Sequence, residues 1–151
     1  MEFGRGPCTA AVATEMTETF LKFDEKFRHL DTALMYTGGK SEKIIGDMSS
    51  FAELGGLVDD KINPWDKKNF GEESIRQQVD ICLKNLKTDS VEILYLHAPD
   101  HNTPLDTTLS TMNKLHQEGK FKQLGLSNYS SWLVNEVVNI CKVRNFAFFS
   151  D

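Results

Sequence analysis

Short apolar runs alternate along the chain with longer stretches whose apolar residues recur every three or four positions. Residues 10 to 23 predict a helix, followed by a short strand near Arg28 to Asp31. Ser41 to Met48 predicts a short helix after the Gly38-Gly39 loop, and Gly56 to Lys61 a second strand that ends in charge. Beyond the loop Asn63-Pro64-Trp65-Asp66, helical spacing returns at Ile75, Val79, Cys82, Leu83 and Leu86. Gly71 or Asn69 can start that helix, and Glu72 and Glu73 suit the positive end of its dipole. Val91 to His97 is too apolar for an exposed strand and predicts a buried parallel one. Leu105, Leu109, Met112 and His116 mark another helix face, with Gly119 as its stop. Phe121 to Ser127 predicts the next strand. Ser131 to Arg144 predicts a helix with Leu133, Val134, Val137, Val138 and Cys141 inward, and Ala147 to Ser150 begins another strand.

Strand and helix in strict alternation imply a parallel α/β sheet, because each helical crossover returns the chain to start the next strand in the same direction. A barrel and an open doubly wound sheet both fit that order. No G-x-G-x-x-G follows any strand, which argues against the dinucleotide fingerprint of the open fold. In a barrel, chemistry belongs at the C-terminal ends of the strands. Asp31, Lys61, His97 and Ser127 all stand there.

The chain has 151 residues, which sets the expectation of a single domain over residues 1–151. Apolar residues make up 40% and charged residues 26%, the balance of a globular protein. Net charge is −5 and the pI about 5.4, with no basic stripe, which argues against generic nucleic-acid binding. No apolar stretch approaches the roughly 20 residues of a membrane helix, and the N-terminal residues do not read as a secretory signal. The expected compartment is therefore the cytoplasm. Cys8, Cys82 and Cys141 lack the paired spacing of a disulfide framework or a zinc site, and Cys82 and Cys141 are expected to be small buried apolar residues.

Each candidate for chemistry has an ordinary alternative. Tyr36 is either a solvated loop tyrosine or an acid whose developing phenolate is stabilised by a nearby cation, for which Lys61 is the candidate. Lys61 itself either balances charge in Asp59-Asp60-Lys61 or is held, charged, by Asp31. Asp31 is otherwise a turn cap. His97 is either a satisfied core histidine or a hydrogen-bond donor to a substrate carbonyl oxygen. Ser127 and Asn128 can bind a flat polar group such as a carboxamide, or cap the following helix. Trp65 lines a pocket or packs beneath its loop and is left unassigned. His97 and His101 are four apart, but Pro99 between them opposes the single helix on which two metal ligands would converge, so no metal is expected.

LDTALMY, Lys61-Ile62-Asn63-Pro64-Trp65, YLHAPDH and LHQEGKFKQLGLSNYSSW, in this order, resemble the aldo-keto reductases, and within them the aflatoxin aldehyde reductase/succinic semialdehyde reductase branch. The resemblance runs from about Met1 to Arg144. It implies a (β/α)8 TIM barrel and NADPH-dependent reduction of a small aldehyde or ketone. By matching position, Tyr36 resembles the general acid, Lys61 the residue lowering its pKa, and Asp31 the partner of the lysine and a contact near the nicotinamide. His97 resembles the substrate-orienting residue, and Ser127 and Asn128 match the contacts to the nicotinamide carboxamide. A whole barrel of this kind needs about 250 residues. This chain supplies about five and a half βα units, so the expectation is an incomplete barrel with little reductase activity alone, and a homodimer of the full-length form stays open. Asp60 departs from the family by standing where a small neutral residue is usual, and is expected to disturb the pairing of Lys61. A non-catalytic truncated isoform and a nucleotide-sensing subunit resembling the potassium-channel β subunits are the alternatives to an enzyme.

Overall fold

A computed structural model describes residues 2–23, 28–146 and 148. Helix α1 (Ala10–Phe23) precedes strand β1 (His29–Asp31), a 3-10 turn (Tyr36–Gly39), helices α2 (Lys40–Asp47) and α3 (Ser49–Glu53), and strand β2 (Leu57–Ile62). Helix α4 (Glu72–Leu86), strand β3 (Val91–Leu96), helix α5 (Leu105–Gln117), strand β4 (Phe121–Leu126) and helix α6 (Ser131–Arg144) follow in strict alternation. The four strands form one parallel sheet in the order β1-β2-β3-β4, so every C-terminal strand end lies on the same rim. The expected strand at 147–150 falls outside the described residues, apart from Phe148.

The helices form where the apolar spacing predicts them. On α4, Ile75, Val79, Cys82, Leu83 and Leu86 are all buried, and the chain leaves the helix through Lys87 at φ 54°, whose N–H bonds back to the last turn. Helix α5 buries Leu109, Met112 and Leu115 and is followed by Gly119 at φ +74°, a left-handed conformation that glycine adopts without Cβ strain. Of the face expected to point inward on α6, only Val137 and Cys141 are buried, and Val134 is exposed. Helix α3, five residues with no side-chain cap, has no sequence signal of the kind that marks the others.

Leu30, Ile62, Leu94 and Leu96 carry the sheet into the core, where Phe70, Met112 and Phe121 meet them. Helices α2 and α4 touch at Gly46: a Cβ there would lie 2.3 Å from the Asn85 carbonyl oxygen. Cys82 and Cys141 are both buried. A cavity of about 400 Å³ opens at the N-terminal ends of the strands between Met48, Phe51, Val58 and Val91, at the far end from the rim. No described helix is long and apolar enough to cross a membrane.

Candidate active site

Backbone hydrogen bonds extend the sheet beyond its strands and fix the rim. Leu34 N–H donates to Lys61 O at 3.1 Å, His97 N–H to Ile62 O at 2.9 Å, and Ser127 N–H to Leu96 O at 3.0 Å. Successive side chains of a strand alternate faces, so Asp59 and Lys61 share one side of β2 and Asp60 takes the other. Lys61 is 7% exposed, and its ammonium donates to the Asp31 carboxylate and, at 2.8 Å, to Thr32 O. That ammonium lies 5.6 Å from the Tyr36 ring centre and 5.3 Å from that of Tyr95. Tyr95 opposes Gly125 in register, and a Cβ on Gly125 would meet the Tyr95 ring at 2.2 Å. Glycine at that position lets the aromatic wall beside Lys61 lie across β4.

Tyr36 starts the 3-10 turn after β1 and meets His97 edge to face, with ring centres 5.9 Å apart. Trp65, which the sequence leaves unassigned, packs on the other flank of His97 at 5.2 Å while remaining 40% exposed. Sequence reasoning missed this contact because a tryptophan in a loop carries no periodicity. Its position four residues beyond Lys61, the charged strand end, was the available signal.

Burial and the positive charge of Lys61 lower the His97 pKa, with Asp31 opposing, so the imidazole stays neutral at pH 7. Its buried Nδ1 has no hydrogen-bond partner. A stranded lone pair costs less than a stranded N–H, which assigns the proton to Nε2. The Tyr36 pKa is raised, first by burial and then by the charges of Asp31 and Glu2. Lys61, the residue expected to lower it, holds its ammonium 5.6 Å from the ring centre, against Asp31. A phenol that keeps its proton at neutral pH remains a competent donor.

Ser127 and Asn128 stand at the end of β4, and neither caps α6, whose N-cap is Ser130. Asn128, at φ 60°, donates its amide to His97 O at 2.7 Å and to Ser127 Oγ at 3.0 Å, which joins the ends of β3 and β4. Asp60 does not disturb the Lys61 pairing as expected. Its side chain is fully buried on the opposite face, and only its contact with the Lys61 backbone N–H, at 2.8 Å, reaches the lysine.

The aldo/keto reductase family model matches residues 1–147. The chain belongs to the aldo/keto reductase family. It is 43% identical over 150 residues to human aflatoxin B1 aldehyde reductase member 2, a match that covers 94% of this chain and 40% of the relative. Human aflatoxin B1 aldehyde reductase member 4 is 40% identical over 148 residues, covering 94% and 43% respectively. The chain thus spans about two-fifths of the length of these curated relatives. Among solved structures, a thermostable aldo-keto reductase in complex with the inhibitor epalrestat superposes with a TM-score of 0.79 at 26% identity, covering 93% of this chain and 49% of that one. An aldo/keto reductase from Klebsiella pneumoniae in complex with NADP and acetate gives 0.71 at 25% identity, covering 93% and 47%. The sheet described here is therefore the first part of the parallel barrel of this family.

Proposed function

We propose that Tyr36, Lys61, Asp31 and His97 form the reaction centre of an NADPH-dependent reduction that converts a small aldehyde or ketone to an alcohol. The observation that carries this reading is the convergence, on one strand-end rim, of a buried ammonium held by a carboxylate with a protonated phenol and a neutral imidazole. NADPH, when bound, supplies hydride to the carbonyl carbon. Tyr36 gives its proton to the carbonyl oxygen in the same step, so the product leaves as the neutral alcohol. Lys61 then stabilises the phenolate until solvent returns the proton. His97, through Nε2–H, hydrogen-bonds the carbonyl oxygen and orients it toward Tyr36. Trp65, beside His97 and partly exposed, offers an apolar surface to the rest of the substrate.

The end of β4 suits the cofactor carboxamide. The Asn128 amide N–H groups are engaged, which leaves Asn128 Oδ1 to accept from the carboxamide NH2 and the Ser127 hydroxyl to donate to its oxygen. Asp31, at the same rim, would contact the nicotinamide end. The related Klebsiella structure in complex with NADP supports this choice of cofactor.

The four described strands leave the sheet open, so turnover is expected from this chain when it is joined to the remaining strands of a barrel, and little from the 151 residues alone. Spectrophotometric NADPH oxidation with an aromatic aldehyde or succinic semialdehyde, measured on both forms, tests the assignment. Tyr36→Phe in the completed barrel should lower kcat by about 10²–10⁴-fold while cofactor binding persists. Full turnover by that variant would remove Tyr36 from the reaction, and equal turnover by the 151-residue chain would overturn the need for the remaining strands.

A further inference from the structure

Behind the rim, Asp60 points from β2 toward the helices and meets Glu42 of α2 and Cys82 of α4. The exposures of the three are 0%, 0% and 1%, and one side-chain atom from each lies within 4.8 Å of the other two. Asp60 Oδ1 accepts the Lys61 N–H at 2.8 Å, and Glu42 Oε2 accepts from Asn85 Nδ2 at 2.8 Å. The remaining oxygens, Asp60 Oδ2 and Glu42 Oε1, are buried and receive no donor from any other group.

Two carboxylates buried this close cannot both hold a negative charge, because each is desolvated and each repels the other. The titratable side chains that face Asp60 are Glu42 from α2 and Cys82 from α4. The Lys61 ammonium lies across the strand, already engaged by Asp31 and Thr32 O. Burial and the two acids push the Cys82 thiol up, so it stays protonated and supplies no charge. Neutralisation must come from a proton or from a cation. A zinc ion would need four ligands and a hard divalent cation about six oxygens, and the cluster offers two uncommitted oxygens and a neutral thiol.

We propose that Asp60 and Glu42 share one proton in a buried O–H···O bond, and that this bond is a pH-sensitive latch fastening α2 to β2. Helix α2 follows the Tyr36 turn directly and β2 carries Lys61, so the latch sits behind the proposed proton donor and the ammonium beside it. It stands independently of that assignment. Burial, and then Glu42, hold Asp60 well above the ordinary carboxyl range. The folded chain therefore keeps a proton that the unfolded chain loses above about pH 4–5. Above that pH the unfolding equilibrium constant rises about tenfold per pH unit, until the folded pair itself ionises and the latch opens.

The test is urea unfolding of the full chain across pH 5 to 9, compared with Asp60→Asn, Glu42→Gln and the double variant, which has no carboxyl to titrate. Relative to the double variant, the wild type should lose stability by about one proton's worth as pH rises, tenfold in the unfolding constant per unit. Should the double variant fail to fold, the infrared carbonyl stretch of a protonated carboxyl in the native chain at pH 7, lost in Asp60→Asn, gives the same answer. Parallel pH profiles for wild type and double variant, or no protonated-carboxyl band, would overturn the proposal. So would a stoichiometric divalent cation in the purified chain whose chelation lowers the unfolding midpoint at constant pH. None of these readouts involves turnover, so failure of the latch and failure of the catalytic reading are separable.

Discussion

Lys61 and Asp60 are consecutive residues of one strand, both ionisable and both almost wholly buried, and their surroundings treat charge in opposite ways. On the sheet face turned to the rim, a carboxylate and a backbone carbonyl meet the Lys61 side-chain nitrogen. On the helix face, Asp60 meets a second acid and a thiol, and its charge is suppressed. Burial, and then the neighbouring acid, raises the Asp60 pKa. The partners differ because strand alternation sends the two side chains to opposite faces, and the chain folds different groups over each.

The largest effect that separates the two faces is expected from Asp31→Asn. It removes the anion that matches the Lys61 ammonium while leaving the Asp60 side untouched. Breaking a fully buried pair costs about 3–5 kcal/mol and an exposed one about 0–1 kcal/mol. Lys61 has an 8% exposed side chain and Asp31 a 50% exposed one, so a loss between those ranges, about 1–3 kcal/mol, is expected from urea unfolding at pH 7. A neutral result would mean that Thr32 O and water suffice to hold the ammonium, and the contrast between the faces would weaken.

Much of the sheet face was legible in the sequence. Asp31, Lys61, His97 and Ser127 close apolar runs, and a parallel sheet gathers such ends onto one rim whatever lies between them. The helix face was not legible in the same way. Asp60 reads, beside Lys61, as a disturbance of the pairing, although the two-residue period of a strand already sends it to the other side. What no local pattern reveals is that Glu42, on a different element, arrives opposite it. Trp65 escaped for a related reason, since its contact with His97 depends on where a loop returns. Helix α6 shows the converse error. Its apolar spacing is helical, yet Val134 is exposed, because spacing reports a face and not what covers it. The Tyr36 pKa likewise depends first on burial and then on Asp31 and Glu2, surroundings that residue order does not contain.

A smaller effect, of opposite sign to that at Asp60, is expected at His97. Burial and Lys61 lower its pKa, while Asp31 acts to raise it. Below about pH 6.5 the unfolded ring binds a proton that the folded ring resists, so stability falls as pH drops, and the fall stops once the folded ring is protonated. His97→Gln should remove that acid-side loss without changing the alkaline-side slope attributed to the carboxyl pair. Unfolding midpoints between pH 5 and 8 provide the check. An unchanged acid limb in the variant would show that another group produces it.

The smallest effect is expected at the surface, where geometry is better and consequence slighter. Arg76 grips Glu118 with paired bonds of 3.0 and 2.9 Å across the α4–α5 seam, a more regular arrangement than either buried cluster has. The two side chains are 35% and 43% exposed, so water and salt screen the pair, and in Glu118→Ala the guanidinium keeps Glu72 and solvent takes the rest. Glu118→Ala should therefore cost under about 1 kcal/mol, less at high salt than at low. A larger, salt-independent loss in urea unfolding would mean that bond geometry, rather than burial and partner, ranks the ion pairs of this chain.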